Sequence, residues 1–253
     1  MKSYVLVGGA WLGGWCWQAV AERMRQAGQR VYAATLTGLG ERVHLANADV
    51  DLDTNITDVV KLIEFEDLQE VVLVGHSYAG IVVTGVADRI PERLAQVIYL
   101  DAGPAPSGTR FLEMSPTEYI ARQTADAPEN WRLPMPSWKE LEQDFEASVD
   151  GLDAATREMI QARAVDQPLG TYRQPLVLTN PARATLSKCL ISCGFPLEQV
   201  RAMIESGHPW FVEMAGPEWH FRYLPTSHWP MFSTPNELAD LLSTLPATTT
   251  DED

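Results

Sequence analysis

The sequence predicts an α/β fold: a mostly parallel sheet of about six strands, helices on both faces, and an inserted helical cap. Three observations predict it. Over the first hundred residues, short β-rich runs alternate with longer helical patterns, which is the signature of βαβ units. From Gly103 to about Ser187 that alternation gives way to a stretch rich in proline, methionine and tryptophan. It then resumes towards the C-terminus.

Taken in order, Tyr4 to Val7 is a short apolar run that suits a strand buried on both faces, and Trp15 to Gln26 reads as a helix. Arg30 to Leu36 is a strand and Ile56 to Phe65 a helix. The Val and Leu run from Glu70 to Val74 is a strand, Ile81 to Asp88 a helix, and Ala95 to Leu100 another strand. Within the following insertion, Trp138 to Ser148 and Ala154 to Arg163 look helical and begin near turn residues. Lys188 to Cys193 returns to strand, Leu197 to Glu205 to helix, Trp219 to Leu224 to strand, and Asn236 to Leu245 closes the chain as a helix. The expected organisation is a core of residues 1–102 and 188–246, a cap of 103–187, and a frayed acidic tail of 247–253.

Composition narrows the function. The 253 residues carry 34 Asp and Glu against 19 Lys and Arg, a formal charge of -15, so the surface repels polyanions and nucleic acid is not an expected partner. The same charge argues against docking on anionic lipid, and no stretch has the length of a membrane span. The N-terminal MKSYVLVGGAWLGGWCW is apolar, but glycine pairs and tryptophans interrupt it, so it reads as strand and turn rather than as a leader. Cys16, Cys189 and Cys193 are too few for a disulfide framework and lack partners for a zinc site, which points to buried thiols and a cytoplasmic protein. The expected partner is a small-molecule substrate, with a homodimer left open and no metal or cofactor.

The most informative segment is Val71-Val72-Leu73-Val74-Gly75-His76-Ser77-Tyr78-Ala79-Gly80. A buried strand runs directly into Gly-His-Ser-Tyr-Ala and on into a helix, the setting in which G-x-S-x-G means a nucleophile elbow. The serine sits on a strained turn, so the residues two positions either side must be small. Gly75 and Ala79 both are.

A serine hydroxyl needs a positioned base, and the base an acid that holds its tautomer. On this fold the chain order is serine, acid, histidine, with the histidine in a loop after the last strand. Among the five histidines only His228, in Leu224-Pro225-Thr226-Ser227-His228-Trp229, has that placement. His44, His76, His208 and His220 are read as structural or solvated.

With these residues in hand, the chain resembles the α/β-hydrolase superfamily, in the small bacterial esterase-like branch related to plant methyl esterases and hydroxynitrile lyases. The resemblance rests on Val5-Leu6-Val7-Gly8-Gly9-Ala10-Trp11, Thr37-Gly38-Leu39-Gly40-Glu41-Arg42, the Ser77 elbow, Tyr99-Leu100-Asp101-Ala102 and the His228 loop. It implies an oxyanion hole made by the backbone N–H groups of Ala10 and Tyr78. The family pattern at the first strand is His-Gly-Ala-Trp, and Gly8 stands where that histidine would be. Relatives often carry an Asp after the strand that here reads Leu190-Ile191-Ser192-Cys193, yet Gly194-Phe195-Pro196-Leu197-Glu198 follows. Asp101, at the end of the strand after the nucleophile strand, is assigned as the acid, with Glu198 or an incomplete triad as the alternatives.

Trp11, Tyr78, and Phe111, Trp131, Met135 and Trp138 from the cap are candidates for an apolar, aromatic substrate lining. The leading expectation is a serine carboxylic ester hydrolase acting on a small apolar or aromatic ester through Ser77, His228 and Asp101. A lyase, cyclase or other tailoring enzyme on the same scaffold and a non-catalytic binding relative are the competing readings. The lyases generally carry a lysine near the catalytic histidine, and Trp229 to Thr234 contains none.

Overall fold

The apolar runs pair as strands, and their register decides which residues meet. In the computed structural model, which describes residues 2–125, 130–208 and 211–245, the first half of the core is built from β1 (Ser3–Val7), α1 (Gln18–Gln26), β2 (Arg30–Ala34), α2 (Leu52–Phe65), β3 (Val71–His76), α3 (Ala79–Arg89) and β4 (Leu94–Leu100). Every residue of β1 and β3 is buried, as a parallel sheet covered on both faces requires. The chain then leaves the sheet for the cap: α4 (Thr117–Ala125), β5 (Arg132–Leu133), α5 (Trp138–Gln143), α6 (Ala154–Arg163), β6 (Gln167–Pro168) and α7 (Gly170–Arg173). It returns with β7 (Ser187–Ser192), α8 (Leu197–Glu205) and β8 (Trp219–Tyr223), and ends with α9 (Pro230–Ser233) and α10 (Pro235–Thr244).

The six core strands lie in the order β2-β1-β3-β4-β7-β8, all pairs parallel, and the two short cap strands form their own antiparallel ribbon. The β1-to-β2 connection steps one way along the sheet and the later ones step the other. Right-handed crossovers therefore place α1 on one face and α2, α3 and α8 on the opposite one. The packing agrees, since α10 lies against α1 and α2 against α3.

Register sets the functional edge. Val7 pairs with Gly75, His76 with Leu100, Leu100 with Ile191, and Ser192 with Tyr223. All these strands consequently end in one row. The residues that follow it, Gly8, Ser77, Asp101, Cys193 and the loop from Leu224 to Trp229, leave the sheet side by side at the carboxyl edge, where open α/β sheets place their ligands.

Several boundaries differ from the sequence reading for local reasons. The helix expected from Ile56 begins at Leu52, because the Asp51 carboxylate accepts the Thr54 N–H at 2.9 Å and caps it. The strand read as Arg30 to Leu36 stops at Ala34, beyond which the Thr35 hydroxyl accepts the N–H of Gly14 at 2.7 Å. The helix expected over Trp138 to Ser148 ends at Gln143: Glu146 has a φ of 52° and the Ala147 N–H turns back to the Leu141 carbonyl. The acidic tail of 247–253 lies outside the described residues. Among those described, no helix is long and apolar enough to cross a membrane.

Candidate active site

β3 enters α3 through Ser77, whose φ of 52° puts a non-glycine residue in the left-handed region. Two bonds hold it there. The Ser77 N–H donates to the Leu100 carbonyl at 3.2 Å, one residue past the end of the strand, and the Gly80 N–H returns to the Ser77 carbonyl at 2.9 Å. The turn is tight enough that a Cβ at Gly75 would sit 2.7 Å from both the Ala79 carbonyl oxygen and the Val83 side chain. Glycine is thus required at position 75 by the close approach of strand and helix, whereas Ala79 fits as a buried methyl.

Asp101 leaves β4 in the same way, with φ 44° and its N–H bonded to the Ile191 carbonyl at 2.8 Å. One carboxylate oxygen, Oδ2, lies 2.6 Å from Nδ1 of His228. The other, Oδ1, accepts the N–H groups of Cys193 at 2.8 Å and Gly194 at 3.3 Å. The loop after β7, which lacks the carboxylate that relatives often place there, instead donates two backbone amides to a carboxylate from the neighbouring strand. Burial alone would push the Asp101 carboxyl up, but the hydrogen bond and charge of His228, with the two amides, outweigh it and hold the carboxyl below its ordinary value. Glu198, the alternative, is exposed in the first turn of α8.

His228 is fixed at three points. Its ring meets Asp101, its N–H donates to the Ser148 carbonyl of the cap at 2.8 Å, and its carbonyl lies 2.6 Å from Nε2 of His76. Because a carboxylate only accepts, the neutral ring carries its proton on Nδ1 and leaves Nε2 as a lone-pair acceptor. Trp229 stacks edge-on against the His228 ring, with centroids 5.0 Å apart.

The four remaining histidines range from buried to exposed. His76 is fully buried, and since a carbonyl only accepts, its proton resides on Nε2. Burial, and then the charge of His228, depress its pKa to about 3. Among the described residues its Nδ1 has no hydrogen-bond partner, and it faces Gly9, where an added Cβ would lie 2.8 Å away. His44 and His208 are exposed, and His220 lies on the edge strand β8.

The loop after β1 turns back at Gly9, whose carbonyl accepts the Leu12 N–H at 3.3 Å. Ala10 lies within that turn, and Tyr78 caps α3. Among the described residues neither the Ala10 nor the Tyr78 N–H has a hydrogen-bond partner. At Gly8 an added Cβ would meet the Cys16 sulfur at 3.1 Å, so a buried thiol occupies the room that a side chain at this position would need.

The aromatic candidates separate on inspection. Trp11 is buried, with its indole N–H donating to the Leu133 carbonyl at 2.9 Å. Tyr78 is fully buried, its hydroxyl donating to Asn55 at 2.9 Å and its ring stacked on Tyr172 and edge-on to Phe111. Trp138 packs on Trp229, which carries the contact through to His228, and Met135 packs against the same core. Trp131 stands apart: its ring lies under the Arg132 guanidinium at 4.3 Å.

This edge, with an elbow serine, a carboxylate-bound histidine and two unpartnered amides, is that of an α/β-hydrolase. Residues 4–241 match the model of the alpha/beta hydrolase family. The chain belongs to that family, in its esterase-like branch. It is 35% identical over 249 residues to a carbendazim hydrolyzing esterase of Nocardioides sp. (strain SG-4G), covering 97% of this chain and all of that one. It is 26% identical over 257 residues to methylesterase 9 of Arabidopsis thaliana, covering 96% of this chain and 97% of that one. Among solved structures, an extracellular α/β-hydrolase from a Paenibacillus species superposes with a TM-score of 0.76 at 20% identity, covering 96% of this chain and 98% of that one.

Proposed function

We propose that the protein hydrolyses small carboxylic esters bearing an apolar or aromatic group, with Ser77 as nucleophile, His228 as general base and acid, and Asp101 as the residue that orients His228. The single observation that carries this reading is the 2.6 Å contact between Asp101 and Nδ1 of His228, on the sheet edge where the elbow delivers Ser77. The names of two relatives, an esterase and a methylesterase, support an ester substrate.

In the first half-reaction Ser77 Oγ attacks the ester carbonyl while Nε2 of His228 takes its proton. The carbonyl oxygen becomes an oxyanion, and the N–H groups of Ala10 and Tyr78 donate to it. His228 returns the proton to the departing alcohol, leaving an acyl group on Ser77. Water then attacks that acyl group with His228 again as base, and the acid is released. Asp101 stays ionised throughout, because Cys193, Gly194 and His228 stabilise its charge. Trp11, Phe111, Met135 and Trp138 supply the apolar lining that selects the ester.

The test is covalent labelling alongside turnover. A fluorophosphonate should modify the wild-type chain at Ser77, and Ser77→Ala should abolish both labelling and hydrolysis of p-nitrophenyl acetate and methyl benzoate. Labelling at another residue, or undiminished turnover by the variant, overturns the assignment.

A further inference from the structure

Trp11 joins the loop after β1 to the cap through three hydrogen bonds, none of which belongs to the triad. Its N–H donates to Oε1 of Gln167 at 3.1 Å, its carbonyl accepts the Val165 N–H at 3.1 Å, and its indole N–H donates to the Leu133 carbonyl at 2.9 Å. Leu133 and Gln167 are paired across the β5-β6 ribbon, so both of its strands hold the same residue. Trp11 has a φ of 64°, a conformation that a bulky side chain adopts only when its surroundings enforce it.

The buried amide of Gln167 has one orientation open to it. The side-chain nitrogen lies 2.9 Å from the Thr171 hydroxyl, and that hydroxyl lies 2.6 Å from the Pro168 carbonyl. The Trp11 backbone N–H can only donate, so the amide oxygen must face it, and the amide nitrogen then donates to the Thr171 hydroxyl. Gln167 and Thr171 are both fully buried, so water does not substitute for either contact.

That oxygen acts on the turn containing Ala10. A four-residue turn with positive φ at its third residue differs from the commoner negative-φ form by a flip of the central peptide, here the Ala10–Trp11 unit. Flipped, this peptide would turn a carbonyl oxygen instead of an N–H towards Oε1 of Gln167, and Trp11 would relax out of the left-handed region. We propose that Gln167 is a positioning residue for the oxyanion hole: by accepting the Trp11 N–H it fixes the Ala10–Trp11 peptide, and with it the backbone of the turn whose preceding peptide carries the Ala10 N–H that donates to the substrate oxyanion. This rests on the serine hydrolase reading above and adds that the cap, through a residue 156 positions away in sequence, sets the geometry of the core's oxyanion site.

The test compares Gln167→Leu and Gln167→Glu in the full-length protein. The leucine has no acceptor. The glutamic acid, kept neutral by burial, restores one acceptor and one donor in the same shape. The readouts are kcat and KM for p-nitrophenyl acetate and the inhibition constant of a trifluoromethyl ketone, which forms a tetrahedral oxyanion on the nucleophile. Gln167→Leu should lose on the order of 10²-fold in kcat and a similar factor in ketone affinity, the scale of a misplaced oxyanion donor, with KM changed less than about threefold. Gln167→Glu should stay within about tenfold of wild type and lose activity as its carboxyl ionises at high pH.

If the leucine variant does not fold, Gln167→Asn keeps the amide but withdraws it by one methylene, and should show the same paired loss. Wild-type kcat and ketone affinity in a folded Leu or Asn variant overturns the proposal, as does a loss confined to KM. A wild-type chain that neither takes up fluorophosphonate at Ser77 nor binds the ketone overturns the hydrolase reading itself, and the proposal with it.

Discussion

Replacing Asp101 by asparagine changes one atom and, on this structure, reverses the proton bookkeeping of His228. The Oδ1 position accepts two amides, from Cys193 at 2.8 Å and Gly194 at 3.3 Å, so it must remain an oxygen. In Asp101→Asn the side-chain nitrogen then falls at the Oδ2 position, 2.6 Å from Nδ1 of His228, and donates to it. That forces the imidazole proton onto Nε2, the nitrogen that accepts from Ser77 in the proposed mechanism. The wrong tautomer in a serine protease costs about 10⁴ in kcat, equivalent to about 5.4 kcal/mol of transition-state stabilisation, and the same scale is expected here. The assay is steady-state hydrolysis of p-nitrophenyl acetate with the rate of fluorophosphonate uptake, read beside a thermal melt that shows the variant folded. Glu198→Gln, an exposed change, should stay within about twofold of wild type. A loss below tenfold in folded Asp101→Asn would refute the tautomer argument. Small losses in both variants would reduce the site to a serine-histidine dyad, and a large loss in Glu198→Gln alone would transfer the role to α8.

Two further outcomes follow from the packing around His76. The unfolded chain takes up a proton at this residue below its ordinary pKa of 6.5, whereas the folded chain resists it down to about 3. Folding stability should therefore fall as pH falls through that window, by about 1.4 kcal/mol per pH unit from this group. Urea unfolding at several pH values should show this contribution in the wild type and lose it in His76→Gln; equal slopes would contradict the burial argument. Gly9→Ala would bring a Cβ to 2.8 Å from Nδ1 of His76 and 3.1 Å from Cβ of Ser77. It should destabilise by about 1–3 kcal/mol, the range of overpacked cores, and slow Ser77 labelling. A variant with unchanged urea midpoint and labelling rate would show that the contact is not tight.

The parts legible in the sequence are those that local physics writes into neighbouring residues. The Val71 to Val74 run followed by Gly75, Ser77 and Ala79 encodes strand, close approach and helix within ten positions, and the structure has all three there. Asp101 was reachable because parallel strands end on one edge, and the register of β3 on β4 places it one strand along from Ser77. The Cys193 and Gly194 amides that hold its carboxylate could not be read, since backbone N–H groups carry no sequence signature. His76 is buried, but its bond to the His228 carbonyl spans 152 positions and could not be read from the sequence. Gln167 reaches Trp11 across 156 positions, with nothing local to announce it. Trp131, read as lining for its aromatic ring, has the adjacent Arg132 guanidinium over one face of that ring. That contact depends on a cap whose helices are short and whose chain path the hydrophobic pattern does not determine.

Trp11, Ser77 and Asp101 all sit in left-handed backbone at the same sheet edge, and none is glycine. Each such residue carries a strain on the order of 1 kcal/mol or more. At Trp11 and Asp101 the strain is opposed by the hydrogen bonds those residues make to the cap, to the β7 loop and to His228. Ser77 differs, because among the described residues its hydroxyl has no partner that would be missed. Glycine there would relax the backbone. A population of this protein selected for thermal persistence alone, with no demand for turnover, would thus drift first at residue 77, and the chain left behind would keep its histidine and carboxylate paired beside a missing hydroxyl.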